Sequence, residues 1–66
     1  MEVLIGITCR NVEHTIGPVL KSILRLDYPR EKMRILVVDS ESTDNTVHII
    51  RDVLSRSNVI YYTLRT

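Results

Sequence analysis

Three short aliphatic runs constrain this chain more than anything else in it: "EVLIGIT" (2–8), "MRILVVD" (33–39) and "NVIYYTL" (58–64). Each is rich in Val, Ile or Leu and bounded by polar residues. Near-continuous apolar runs of this length suit strands buried on both faces, as in a parallel sheet.

The segments between them carry helical patterns. In the first, Val12, Ile16, Val19, Leu20, Ile23 and Leu24 recur at three- and four-residue steps, which marks one face of a helix. Pro18 has no N–H for the carbonyl four residues back, so it belongs in a first turn, and Thr15 as N-cap puts it there. A start at Asn11 with a kink is the alternative. "DYP" (27–29) stops the helix, because the residue before a proline is pushed out of the α region. The second helix is expected over 43–56, with Ser42 as N-cap and Asp44 in the first turn, where the helix dipole favours an acid. Val47, Ile50, Val53 and Leu54 are its expected buried face. The order strand, helix, strand, helix, strand is a βαβαβ unit with right-handed crossovers. The expected fold is therefore α/β, half of a doubly wound, Rossmann-like sheet of three parallel strands.

At 66 residues the chain holds one small domain, and a domain of this size buries only about 60% of its unfolded surface. Cys9 is the only cysteine, so no internal disulfide forms, and His14 and His48 make no metal-ligand spacing with it. The histidines read as helix-surface residues, and Tyr61 and Tyr62 as neighbours on opposite faces of a strand. Nine Lys and Arg against eight Asp and Glu give a net charge of +1, with no basic run, which argues against nucleic acid as a partner. The longest apolar runs fall far below the roughly 20 residues of a membrane span. "MEVLIGI" lacks the basic start of a signal peptide. These features lead us to expect a compact, soluble, intracellular protein.

In doubly wound sheets ligands bind beyond the carboxyl ends of the strands. Here those ends are "TCRN" (8–11) and "DSE" (39–41). The dinucleotide fingerprint G-x-G-x-x-G is absent, as is a P-loop, and the first strand lacks the acidic pair of an aspartyl-phosphate receiver domain. A carboxylate at Asp39 can accept from a pyrimidine imide N–H or a ribose hydroxyl. Arg10 can stack on a base or neutralise a phosphate, and Thr8 adds a hydroxyl. The plainer reading is that Asp39 caps a turn and Arg10 is solvated.

"ITCRNVEHTIGPVLKSIL" and "DYPREKMRILVVDSESTDNT", with the spacing between them, resemble the N-terminal part of family 2 glycosyltransferases of the GT-A fold. The likeness runs from about Val3 to Leu64. Those enzymes have a T-S-Y-N-like end to the first strand, a T-I-x-x-x-L-x-S-I-L helix, D-Y-P, and a strand ending V-V-D-D-G-S-T-D-x-T. The resemblance implies that residues 1–66 are the incomplete N-terminal portion that binds a nucleotide-sugar donor, most often a uridine nucleotide. It puts Asp39 on the base or ribose, with Thr8, Cys9, Arg10, Asn11 and Glu41 around it, and makes Asp44 a helix cap. Ser40 and Glu41 depart from the pattern, standing where Asp and Gly are common.

The resemblance also implies what lies elsewhere. The family's metal-binding D-x-D and catalytic base come later than any residue here, so this chain is expected to hold no catalytic residue and no metal. The divalent Mg or Mn belongs to a full-length parent, in which the sugar would pass to an acceptor hydroxyl with inversion. The expected site is cytoplasmic, or the cytoplasmic face of a membrane if the parent is anchored. Expected partners are the donor and the rest of the glycosyltransferase, or a second copy meeting the open edge of the first strand. The alternatives are a truncated module that binds a nucleotide or partner without catalysis, and a purely structural fragment.

Overall fold

Alternate residues of the central strand explain the architecture. The computed structural model describes residues 1–66. Strands β1 (Val3–Cys9), β2 (Met33–Asp39) and β3 (Ile60–Arg65) form one parallel sheet in the order β1-β2-β3. Helix α1 (Ile16–Leu24) joins the first pair and α2 (Thr46–Ser55) the second. In β2, Met33, Ile35, Val37 and Asp39 are buried, while Arg34, Leu36 and Val38 between them are half-buried. The first set faces both helices. Ile16 and Leu20 of α1, Ile50 and Leu54 of α2, and Val59 complete a single core against Met33, Ile35 and Val37.

Both helices lie on one face for a topological reason. Successive right-handed crossovers that step in the same direction across a sheet deposit their helices on the same side. The other face is open. The register sets it out in rows: Leu4, Arg34, Ile60; then Gly6, Leu36, Tyr62; then Thr8, Val38, Leu64. Leu4, Ile60, Tyr62 and Leu64 are between 45% and 65% exposed. The expectation of strands buried on both faces is thus met on one side only within this chain. The outer edges of β1 and β3 are unpaired as well.

Helix α1 begins after Thr15 as expected, with Pro18 in its first turn. The Thr15 side chain does not cap it, since its hydroxyl turns back to the Val12 carbonyl at 3.4 Å. The helix ends at Leu24, ahead of the D-Y-P segment. Arg30, in a 3-10 turn, bonds the Leu24 carbonyl at 3.4 Å and the Ser57 carbonyl at 2.8 Å. One cation thereby takes a carbonyl at the end of α1, which lacks an intrahelical partner, and ties it to the turn that follows α2.

Two boundaries differ from expectation. Helix α2 starts at Thr46 with Asn45 as its N-cap, not at residue 43 after Ser42. Strand β3 starts at Ile60 and extends to Arg65, because Asn58 turns the chain with φ of 55° and Val59 drops into the core. Tyr61 is half-buried on the helix side and Tyr62 exposed on the other, as alternation requires. His14 and His48 are exposed. No helix is long and apolar enough to cross a membrane.

Candidate functional site at the strand carboxyl ends

The last row on the helix-facing side of the sheet is Cys9, Asp39, Arg65. Asp39 lies at its centre and is only 3% exposed. A buried carboxylate must have its lone pairs taken by donors, and this one does. The Ser42 hydroxyl donates to Oδ1, the Ser42 backbone N–H to Oδ2 at 3.1 Å, and the Cys9 thiol to Oδ1 at 3.8 Å. Arg65 Nε stands 3.8 Å from Oδ2, and its Nη2 donates to the Ser42 carbonyl at 2.9 Å. The Asp39 carboxyl is held below its ordinary range, chiefly by the Ser42 hydroxyl, against the opposing effect of burial. Burial, then the Asp39 charge, pushes the Cys9 thiol up. A thiol kept protonated is a poor nucleophile.

Ser42 is therefore an anchor for Asp39 rather than the cap of α2. The rest of "STDNT" is used in the same way, across to the loop after β1. Asn11 N–H donates to Ser42 Oγ and Val12 N–H to Thr46 Oγ1, both at 2.9 Å. Thr43 N–H donates to Asn11 Oδ1 at 2.8 Å. Glu13 N–H reaches Asp44 Oδ2 and Asn45 N–H reaches Glu13 Oε2, each at 3.3 Å. Asp44 also accepts from the Thr46 N–H at 3.0 Å and from the Thr46 hydroxyl, which is the main reason its carboxyl is held low. Six polar contacts thus stitch one loop to the other, counting the Thr43 hydroxyl on Asn11 Oδ1 at 3.5 Å. The helix begins only where this stitching ends.

The six residues proposed from sequence divide into groups. Cys9 and Asp39 touch. Asn11 is exposed but committed to the second loop, with φ of 49°. Arg10 is exposed and bonds nothing in the protein. Glu41 is exposed at φ of 51°, a left-handed conformation that favours glycine. Thr8 belongs to the row on the open face and points away from Asp39. Arg65 was missed, because the third strand was expected to stop at Leu64. Placing that strand one residue further along would have set a cation opposite Asp39.

No group of three or more His, Cys, Asp or Glu side chains is placed to hold a metal ion. The carboxylates of Asp39 and Asp44 already take protein donors, so the residues present do not fit a divalent cation.

The sequence matches the glycosyltransferase family 25 N-terminal domain over residues 1–65. It is 37% identical to zebrafish (Danio rerio) procollagen galactosyltransferase 1 over 60 residues, which are 91% of this chain and 10% of that protein. Human inactive glycosyltransferase 25 family member 3 is 34% identical over 53 residues, 80% of this chain and 9% of that one. The crystal structure of S. aureus TarS 1–349 superposes with a TM-score of 0.88 at 26% identity, covering 100% of this chain and 19% of that one. The chain spans about a tenth of the length of the curated relatives it matches. The fold expected from sequence is the fold shared with TarS, and the glycosyltransferase resemblance holds, with the number 25 in place of 2. The chain belongs to glycosyltransferase family 25, within its N-terminal domain.

Proposed function

We propose that this chain forms the donor-side portion of a glycosyltransferase and receives a nucleotide-sugar, with a uridine nucleotide as the first choice, over the carboxyl ends of β1 and β2. The supporting observation is the paired loops, residues 8–13 and 39–46, stitched edge to edge at the end of an α/β sheet where ligands bind. Arg10, Ser40 and Glu41 are exposed on that rim, and their side chains make no hydrogen bond or ion pair within the protein. Asp39, Ser42 and Asn11 hold its shape. In a longer parent the sugar passes to an acceptor hydroxyl, with inversion, through a base and a divalent metal supplied from outside these residues.

The test is titration of the 66-residue chain with uridine diphosphate, followed by ¹⁵N–¹H NMR. Expected are shifts concentrated at residues 8–13, 39–42 and 65–66. An unchanged spectrum at on the order of 5 mM ligand, where even a millimolar Kd gives roughly 80% occupancy, overturns the reading.

A second reading has its own support. Human family member 3, described as inactive, is similar over this same segment. The likeness therefore fits a non-catalytic binding module as well as part of an enzyme. In either case the open apolar face needs cover. A groove of about 400 Å³ crosses it, lined by Glu2, Val3, Leu4, Arg34, Leu36 and Tyr62. Exposed apolar patches and unpaired edges mark association surfaces. We assign this one to the rest of the parent protein, or to self-association when the 66 residues stand alone.

A further inference from the structure

Each helix of a βαβ unit runs back against the direction of its strands, so the helix carboxyl ends lie at the opposite end of the molecule from the loops described above. Between the last turns of α1 and α2 is a groove of about 350 Å³. Its apolar lining is Leu24 of α1 and Val53 of α2, both half-buried. Three exposed cations stand around it: Lys21 from α1, Arg30 from the 3-10 turn, and Arg56 just after α2. Asp52 is the one acid that lines it, and Arg56 already pairs with Asp52 at 3.2 Å. Lys21 and Arg30 have no ion-pair partner.

Helix dipoles explain part of this cluster. Cations are favourable near helix carboxyl ends, and Arg30 uses two of its five N–H groups on the Ser57 and Leu24 carbonyls. Those bonds hold the guanidinium in place and leave its charge intact. They do not account for two cations without a counter-charge beside an open apolar lining. Like charges gathered at an indented surface focus a field that attracts the opposite sign. A ligand that carries both carboxylates and an apolar side chain uses the whole groove.

We propose that this groove docks an acidic, leucine-bearing segment of a partner protein. Its carboxylates meet Lys21 and Arg30, and its apolar side chain lies on Leu24 and Val53. A compact phosphate fits less well, since it makes no use of the apolar lining and lies against the partially negative helix ends. A peptide spreads its charges over separate cations instead. Nine basic against eight acidic residues, with no basic run, speak against nucleic acid. The groove and the strand carboxyl ends lie at opposite ends of the fold, so this docking is independent of whether the chain binds a nucleotide.

The experiment titrates the 66-residue chain with the capped hexapeptide Glu-Glu-Leu-Glu-Leu-Glu and follows ¹⁵N–¹H NMR. With peptide on the order of 5 mM, shifts are expected to concentrate at residues 21–25, 30 and 52–57. Raising the salt from about 20 mM to about 300 mM weakens binding, because the attraction is between exposed charges. Lys21→Glu with Arg56→Glu leaves Arg30 facing three acids and weakens binding about tenfold, since each exposed attraction becomes a repulsion. If that double variant fails to fold, Lys21→Gln replaces it, with a loss of about threefold expected. Four results overturn the proposal. The same peptide with Gln in place of Glu binds as well, so charge is not read. Inorganic phosphate alone gives the same shifts, so the groove is a small-anion site. The shifts fall instead at Leu4, Leu36 and Tyr62, so the leucines have taken the open sheet face. Or the spectrum, or the affinity of the charge variant, does not change.

Discussion

Ser42→Ala tests the central claim about the site, that Asp39 is an internally satisfied anchor. The wild-type Ser42 hydroxyl donates to Asp39 and accepts from Asn11 N–H at 2.9 Å, and Ser42 is 4% exposed. Alanine removes a hydrogen bond to a buried charge and leaves a backbone N–H without its partner. Bonds to charged groups contribute about 1.5–3 kcal/mol, so a loss of about 2 kcal/mol at neutral pH is expected. A domain this small has a total stability of about 3–10 kcal/mol, and its Tm falls by about 8–16 °C for that loss. The pH dependence has a definite sign. The folded pKa of Asp39 is depressed, so its contribution is fully present above the unfolded value near 3.9 and is lost as pH falls through the folded value. The Ser42 hydroxyl is the main cause of the depression, so the variant has less of this contribution to lose. Thermal melts by circular dichroism should therefore show the gap between the two proteins narrowing toward about 1 kcal/mol as pH falls through the depressed folded value and the carboxyl becomes neutral. Equal Tm values near neutrality, or a gap that does not narrow in acid, would refute the reasoning.

Other substitutions probe the remaining elements. Glu41 has φ of 51°, and relief of about 1–2 kcal/mol of left-handed strain outweighs the extra unfolded-state freedom of glycine. Glu41→Gly should thus stabilise by about 0.5 kcal/mol, and a lower midpoint in urea contradicts this. Leu20 is 0% exposed between the helices and the sheet, so Leu20→Ala should cost about 2–5 kcal/mol and leave a chain largely unfolded at 37 °C by circular dichroism. Tyr62→Lys with Leu64→Lys places charge on the open face, where the native residues are 54% and 55% exposed. It should abolish self-association in sedimentation velocity, and a wild-type chain that is already monomeric removes that use of the face.

Much of the fold was legible because it depends on local pattern. The aliphatic runs place β1 and β2 to within a residue, and the three- and four-residue steps with Pro18 place the start of α1. The carboxyl ends of β1 and β2 could be chosen as the candidate site from element order alone. What depends on contacts between distant segments was not legible. Ser42, Asp44 and Thr46 look like the start of a helix, since their side chains suit N-caps. In the folded chain Ser42 bonds Asn11 and Asp39, and the Thr46 hydroxyl accepts from Val12. Asp44 accepts from Glu13 as well as from the Thr46 N–H at the first residue of α2, so the helix begins at Thr46. Arg65 acquires its meaning from register, because parallel pairing sets it beside Asp39 although 26 positions separate them in sequence. The aliphatic runs themselves are apolar on both sides of each strand, but only the hand of the two crossovers decides which side the helices cover. The amino-acid sequence by itself determined the elements, their order and the end of the sheet where a ligand would sit. Tertiary structure decided which face stays open, which polar residues are consumed internally, and which group at the site still faces solvent, because each of these depends on neighbours that chain order does not specify.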